Sequence, residues 1–192
     1  MSVPRGRLNR MAEHRQRTVY YTATSLDGFI ATGDHSLDWL VTRDVDSSGP
    51  MGYDAFIASI GALVMGASTY AWVNENLDGP WPYDLPTWVL SHRTFPARTD
   101  GADVRFASGD VAELHPAMLT AAAGRDVWVV GGGDLAGQFA DHGLLDAVLV
   151  SVAPVTLGAG APLLPRRLEL RLTEVAQNRE FACLAYDVVR PG

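Results

Sequence analysis

Cysteine is nearly absent from this chain: Cys183 stands alone, which excludes any disulfide within it and leaves the core to hold the fold. Long apolar runs are missing too. No stretch reaches the roughly 18 residues that a membrane-spanning helix needs, so a cytoplasmic protein with no membrane partner is the expectation. A surplus of positive charge is also lacking. The formal net charge is −7, and the first seventeen residues carry five arginines against one glutamate, so the remainder is more acidic still. An acidic body repels nucleic acid, which excludes that partner. No G-x-S-x-G elbow occurs, and the five histidines show no ligand spacing, so neither a serine hydrolase nor a metal site is expected.

What remains suits one domain. With 192 residues and 47% hydrophobic content, residues 18–190 can bury a full core, and 1–17 reads as a basic disordered or leader arm with no secretory core. The stretch around which the rest is organised is 126–139, DVWVVGGGDLAGQF: strand, glycine turn, helix. Residues without Cβ let the backbone approach a ligand, and the first N–H groups of a helix have no intrahelical acceptor, so an anion is favoured there. The ligand reading is a nucleotide diphosphate; the alternative is a plain tight turn. Gly131, Gly133 and Ala136 fit the dinucleotide fingerprint, but a Rossmann fold needs an acid about 20 residues later. Here the next strand runs out into Ala153, Pro154, Val155 and Thr156 with no carboxylate. A different nucleotide-binding sheet is required.

Taken in order, 18–24 is β-rich, 29–31 follows a turn, and 51–59 reads as a helix, with Tyr53, Phe56, Ile57 and, just past its end, Ile60 at helical spacing. A buried strand at 62–65 leads into Gly66, Ala67, Ser68 and Thr69, a second small-residue turn opening a helix. Residues 74–86 are loop; the strand at 87–90 meets Ser91, His92 and Arg93; 104–106 is a strand and 110–123 a helix with Pro116 inside it. The strand at 145–152 precedes a glycine and proline loop, 154–165, and two closing strands, 169–176 and 181–189, form an antiparallel hairpin. This alternation predicts an α/β fold with a mixed, mostly parallel sheet. Three strands end at Met65, Leu90 and Val130 before small or polar residues, and ligands bind beyond such carboxyl ends.

These pieces resemble the dihydrofolate reductase superfamily, and more closely the reductase domain of the riboflavin-biosynthesis deaminase-reductase. The likeness spans 18–189 and rests on TATSLDGFIA, LDWL, VMGASTY, LSHR, VVGGGDL and LLDAVLVSVAPVTLGAG; the P-x-x-L-G-x-G pattern of the last belongs to the riboflavin branch. The resemblance implies a three-layer fold, with helices on both faces of the sheet, and an NADPH-dependent reductase sending hydride to a small heterocycle. The alternative is a nucleotide-binding protein without turnover. By resemblance, Gly131, Gly132, Gly133, Asp134 and Leu135 would cradle one side of the pyrophosphate, with Gly66, Ala67, Ser68 and Thr69 on the other. Ser91, His92 and Arg93 would meet the adenosine 2′-phosphate. Ala23, Asp27, Gly28 and Ile30 would border the nicotinamide, although Asp27 reads equally as a turn carboxylate.

Departures fall on the substrate side. Gly131 stands where the riboflavin reductases place an acid, and Tyr21 where they carry a lysine. Asp44, five residues past Trp39, matches the carboxylate that assists protonation in folate reductases, with Asp46 as an alternative; both also read as ordinary loop carboxylates. Trp39, Tyr53 and Phe56 are candidates to stack on a flat substrate, or else core aromatics. A homodimer is implied by resemblance, with Phe181, Leu184 and Tyr186 as contact surface.

Overall fold

The valines of the glycine-turn strand divide between two faces, and this division organises the layers. Val127 and Val129 are fully buried beside Met118 and Phe139, whereas Trp128 between them packs with Phe56, Ile60 and Leu63. Helices therefore lie on both sides of the sheet. Both-sided burial is why the central strands read as continuous apolar runs and not as alternating ones.

The computed structural model describes residues 15–77, 79–96 and 98–190, so the arm expected at 1–17 lies outside the described residues except for 15–17. The chain begins with β1 (Thr18–Ser25), β2 (Phe29–Ala31), α1 (Asp38–Val41), α2 (Tyr53–Ala58), β3 (Ile60–Gly66) and α3 (Ala67–Asn76). It continues through β4 (Thr87–Leu90), β5 (Val104–Ala107), α4 (Val111–Ala121), β6 (Asp126–Gly131) and α5 (Gly133–Asp141). It ends with β7 (Ala147–Ala153), β8 (Ala161–Pro162), β9 (Leu170–Asn178) and β10 (Phe181–Val188).

Among the described residues eight strands form one sheet in the order β5-β4-β3-β6-β1-β7-β10-β9. Every pairing is parallel except those of β10, which runs antiparallel to β7 and β9. The mixed α/β sheet and its closing hairpin are thus as expected. Two elements were not anticipated. Helix α1 is a single turn, too short to show a period. Strand β8 is two residues inside the glycine and proline loop, and it pairs with β2.

Helix α4 starts where the Asp110 carboxylate accepts from Ala112 N at 2.8 Å, an N-cap that satisfies one of the unpaired first-turn donors. Pro116 sits inside this helix and does not end it. At the far edge, β9 holds one extra residue opposite Ala185 and Tyr186 of β10, so that Leu184 faces Val175 and Tyr186 faces Leu172. That bulge gathers Leu170, Leu172 and Val175 onto one face with Leu184, Tyr186 and Val188. Among the described residues no helix covers Leu172 and Val175, which are 53% and 62% exposed. Phe181 was expected on this surface but is buried at 2% on the opposite face of β10, so it is unavailable as a contact.

Candidate active site

Strands β3, β6 and β1 are neighbours, and their carboxyl ends open onto one groove of about 320 Å³. Strand β6 stops at Gly131, the Gly131–Gly132 peptide is cis, and Gly132 is the N-cap of α5. The first main-chain bond of that helix runs from Ala136 N to Gly132 O at 3.1 Å; the N–H groups of Gly133, Asp134 and Leu135 find no acceptor among the described residues. These free donors carry the positive end of the helix dipole.

Glycine is required at 133 by close approach. A Cβ there would lie 2.2 Å from Pro162 O and 2.4 Å from Leu163 O, because the end of β8 and the residue after it cross the start of α5. At Gly131 a Cβ would meet Thr69 Oγ1 at 3.1 Å, so the turn opening α3 lies directly across. Ser68, Thr69, Gly131, Gly132, Gly133 and Asp134 line the groove, with Ala23, Ile30 and Trp72 along its length. Two helix starts and a glycine strand end thus converge, which fits a pyrophosphate. Among the described residues Asp134 is the one carboxylate lining it. Hydrogen bonds from Gln138 and then Arg166 hold its carboxyl below the usual range, and Arg166 offsets part of its charge.

A second cavity, of about 290 Å³, begins where the groove ends: Thr22, Ala23 and Leu40 line both. Its walls include Tyr21, Tyr53, Met51 and Phe181, with Arg43 as its charged member. Tyr21 is stacked on Phe56 at 4.1 Å, while Trp128 Nε1 donates to Tyr21 O at 3.0 Å. Burial, followed by Cys183 and Tyr53, pushes the Tyr21 hydroxyl up to about 12. Burial likewise raises that of Tyr53, so both present neutral hydroxyls at neutral pH.

The model of the family described as the RibD C-terminal domain matches residues 18–183. The chain belongs to the RibD C-terminal domain family. It is 32% identical over 174 residues to the uncharacterized protein YwjB of Bacillus subtilis, covering 89% of this chain and 97% of that protein. It is 30% identical over 159 residues to the riboflavin biosynthesis protein RibD of Corynebacterium ammoniagenes, covering 76% of this chain but 45% of that longer protein. Among solved structures, a candidate riboflavin biosynthesis protein from Shewanella sp. PV-4 superposes with a TM-score of 0.78 at 27% identity, over 91% of this chain and all of that one. Dihydrofolate reductase from Enterococcus faecalis complexed with NADP(H) shares the fold at 13% identity and a TM-score of 0.54, over 90% of this chain and 96% of that one. The dihydrofolate reductase-like architecture is therefore that of this RibD C-terminal family member.

Not every residue singled out in the sequence lies where the resemblance put it. Gly66 and Ala67 sit at the start of α3 without lining the groove, and the side chain of Leu135 is in the core, leaving only its N–H to the site. Asp27 and Gly28 line neither space. The Asp27 carboxylate accepts from Leu157 N at 3.0 Å, Gly158 N at 2.7 Å and Ser25 Oγ at 2.6 Å, and so tethers a loop 130 residues away. Arg93 lines a more open hollow of about 500 Å³ that adjoins the groove through His35, Leu37, Ser68 and Trp72; Ser91 and His92 do not line it, and Ser91 Oγ accepts from Arg93 N at 2.8 Å.

On the substrate side, Tyr53 lines the second cavity but Phe56 and Trp39 do not. Phe56 is consumed by stacking on Tyr21 and an edge contact with Trp128, and Trp39 packs on Phe181 and Cys183. Asp44 is exposed and lines neither space, although Arg43 and Val45 on either side of it do. Asp46 accepts from Ser48 N at 3.0 Å and Ser48 Oγ at 2.8 Å, the bonds that lower its carboxyl, and so organises its own loop.

Sequence reasoning missed Arg43, Met51 and Asn178. Asn178 looks like a turn residue of the closing hairpin. Yet it is 2% exposed and bonds Asp46 N at 3.0 Å, Asp46 O at 2.8 Å and Pro50 O at 3.1 Å. It thereby pins the cavity's outer loop.

Proposed function

We propose that this chain is a cytoplasmic NADPH-dependent reductase that delivers hydride to a small, flat heterocyclic acceptor, and that it acts as a homodimer joined through the apolar face of β9 and β10. One observation carries the catalytic reading. A groove walled by two helix starts and three glycines runs into an apolar cavity, and Thr22, Ala23 and Leu40 belong to both.

The free N–H groups of Gly133, Asp134 and Leu135 would hold the pyrophosphate, with the Ser68 and Thr69 hydroxyls opposite. Arg93, in the adjoining hollow, would meet the 2′-phosphate, and Ala23 with Ile30 would border the nicotinamide. The coenzyme supplies the hydride when bound; the protein's part is position and exclusion of water from one ring face. The acceptor lies against Tyr21 and Tyr53. Exposed Val41 and Val45, at 62% and 57%, leave the cavity rim open, so water delivers the proton.

Calorimetry tests this directly. NADPH should bind with measurable heat, and Ser68→Asp, which sets a carboxylate against the pyrophosphate, should raise the Kd at least tenfold. Absence of heat with reduced or oxidised coenzyme sinks the proposal. Tight binding with no oxidation across pteridine, folate and riboflavin-precursor acceptors would instead favour a nucleotide-binding protein without turnover.

A further inference from the structure

Arg43 is the only charged side chain among the described residues that line the second cavity, and the chain contains no lysine to add another cation. Its setting is uneven. Nε donates to Trp39 O at 3.2 Å, a main-chain anchor that fixes one edge of the guanidinium. Nη1 meets Glu180 Oε2 at 3.4 Å, at the long end of an ion pair whose carboxylate side chain is 42% exposed. Nη2 has no partner among the described residues. A guanidinium that is oriented by the backbone, loosely neutralised and short of acceptors is suited to a bidentate anion.

We propose that Arg43 determines substrate specificity by binding a single carboxylate on a planar, conjugated acceptor whose ring lies against Tyr21 and Tyr53. The inference rests on the reductase reading above and names the class of acceptor. Two features select a carboxylate over a phosphate. One guanidinium matches one negative charge, and the Glu180 carboxylate already beside it disfavours a second. The cavity, about 290 Å³, is at the small end of the roughly 300–1,000 Å³ typical of ligand sites. A bicyclic acid fits that space better than a base carrying a phosphorylated sugar.

The test uses the full chain saturated with NADPH and two near-isosteric probes, quinoxaline-2-carboxylate and quinoxaline-2-carboxamide, followed by calorimetry. The carboxylate should bind at least tenfold more tightly than the amide. Arg43→Gln should erase that preference, leaving amide affinity and NADPH affinity within twofold of the parent. Glu180→Gln, an exposed change that removes the internal competitor, should tighten carboxylate binding and serves if Arg43→Gln fails to fold. Equal affinity for both probes, a preference that survives Arg43→Gln, or tighter binding of a phosphomonoester of the same ring overturns the proposal. If neither probe binds while NADPH does, Arg43 loses this role and the reductase reading stands; if NADPH itself does not bind, that reading fails on its own account.

Discussion

Asp27 shows how a single carboxylate acts far from its place in the chain. Beside Leu26 and Gly28 it reads as a turn residue, and its fluctuating neighbours in an unfolded chain would leave its carboxyl near 3.8. In the fold, donation from Ser25 Oγ and then from Leu157 N stabilises the charged form and lowers it to about 2. A depressed folded value means that the tether contributes stability above pH ~4, and that this contribution is lost as pH falls toward 2. Urea midpoints of the parent and Asp27→Asn should therefore differ by a constant amount from pH 5 to 7 and converge below pH 4. A difference that persists unchanged down to pH 2.5 would show that charge has no part in it. Gly133 is the contrasting residue. Its role in the glycine turn was visible in the sequence, yet the carbonyls of Pro162 and Leu163 that forbid a side chain there are supplied by a distant loop.

Elements were legible in proportion to how local their signals are. The strand, glycine turn and helix of β6 and α5 follow from β-branched residues, missing Cβ atoms and helical spacing, all of which act within a few residues. The aromatics of α2 were ambiguous for the same reason. Tyr53 and Phe56 share helical spacing, and only the position of Tyr21 on β1 sends Phe56 into the core and leaves Tyr53 at the cavity. The loop between α1 and α2 is held by Asn178 from the β9–β10 hairpin, a contact across more than 120 residues. Asn178→Ala would strand one part-buried N–H and two carbonyls, at a cost of about 1–3 kcal/mol, or a Tm lower by roughly 2–12 °C. Because the loop walls only the second cavity, NADPH affinity should stay within twofold. A thermal scan paired with NADPH titration checks both, and an unchanged Tm would mean that the loop holds itself.

At the scale of the whole molecule, the sheet ends in a strand whose outer face is left uncovered among the described residues. Leu172 and Val175 share a face with Leu184 and Tyr186 because β9 carries one extra residue, and an uncovered apolar edge strand is a pairing surface. Light scattering after gel filtration should give a dimer for the parent and a monomer for Leu172→Glu with Val175→Glu; a monomeric parent at tens of micromolar would remove this surface from consideration. Of the homodimer contacts expected, Leu184 and Tyr186 lie on that face and Phe181 does not. By itself the sequence determined the α/β class, the parallel strands, the glycine turn and the family, because strand parity, helix starts and turn chemistry are written in neighbouring residues. Tertiary structure alone decided that Asp27 ties a remote loop, that Phe56 belongs to the core and Trp39 packs against it, and that Arg43 faces the cavity. Those outcomes depend on which strands lie side by side in the sheet, and packing between residues a hundred positions apart leaves no mark on either one's local sequence.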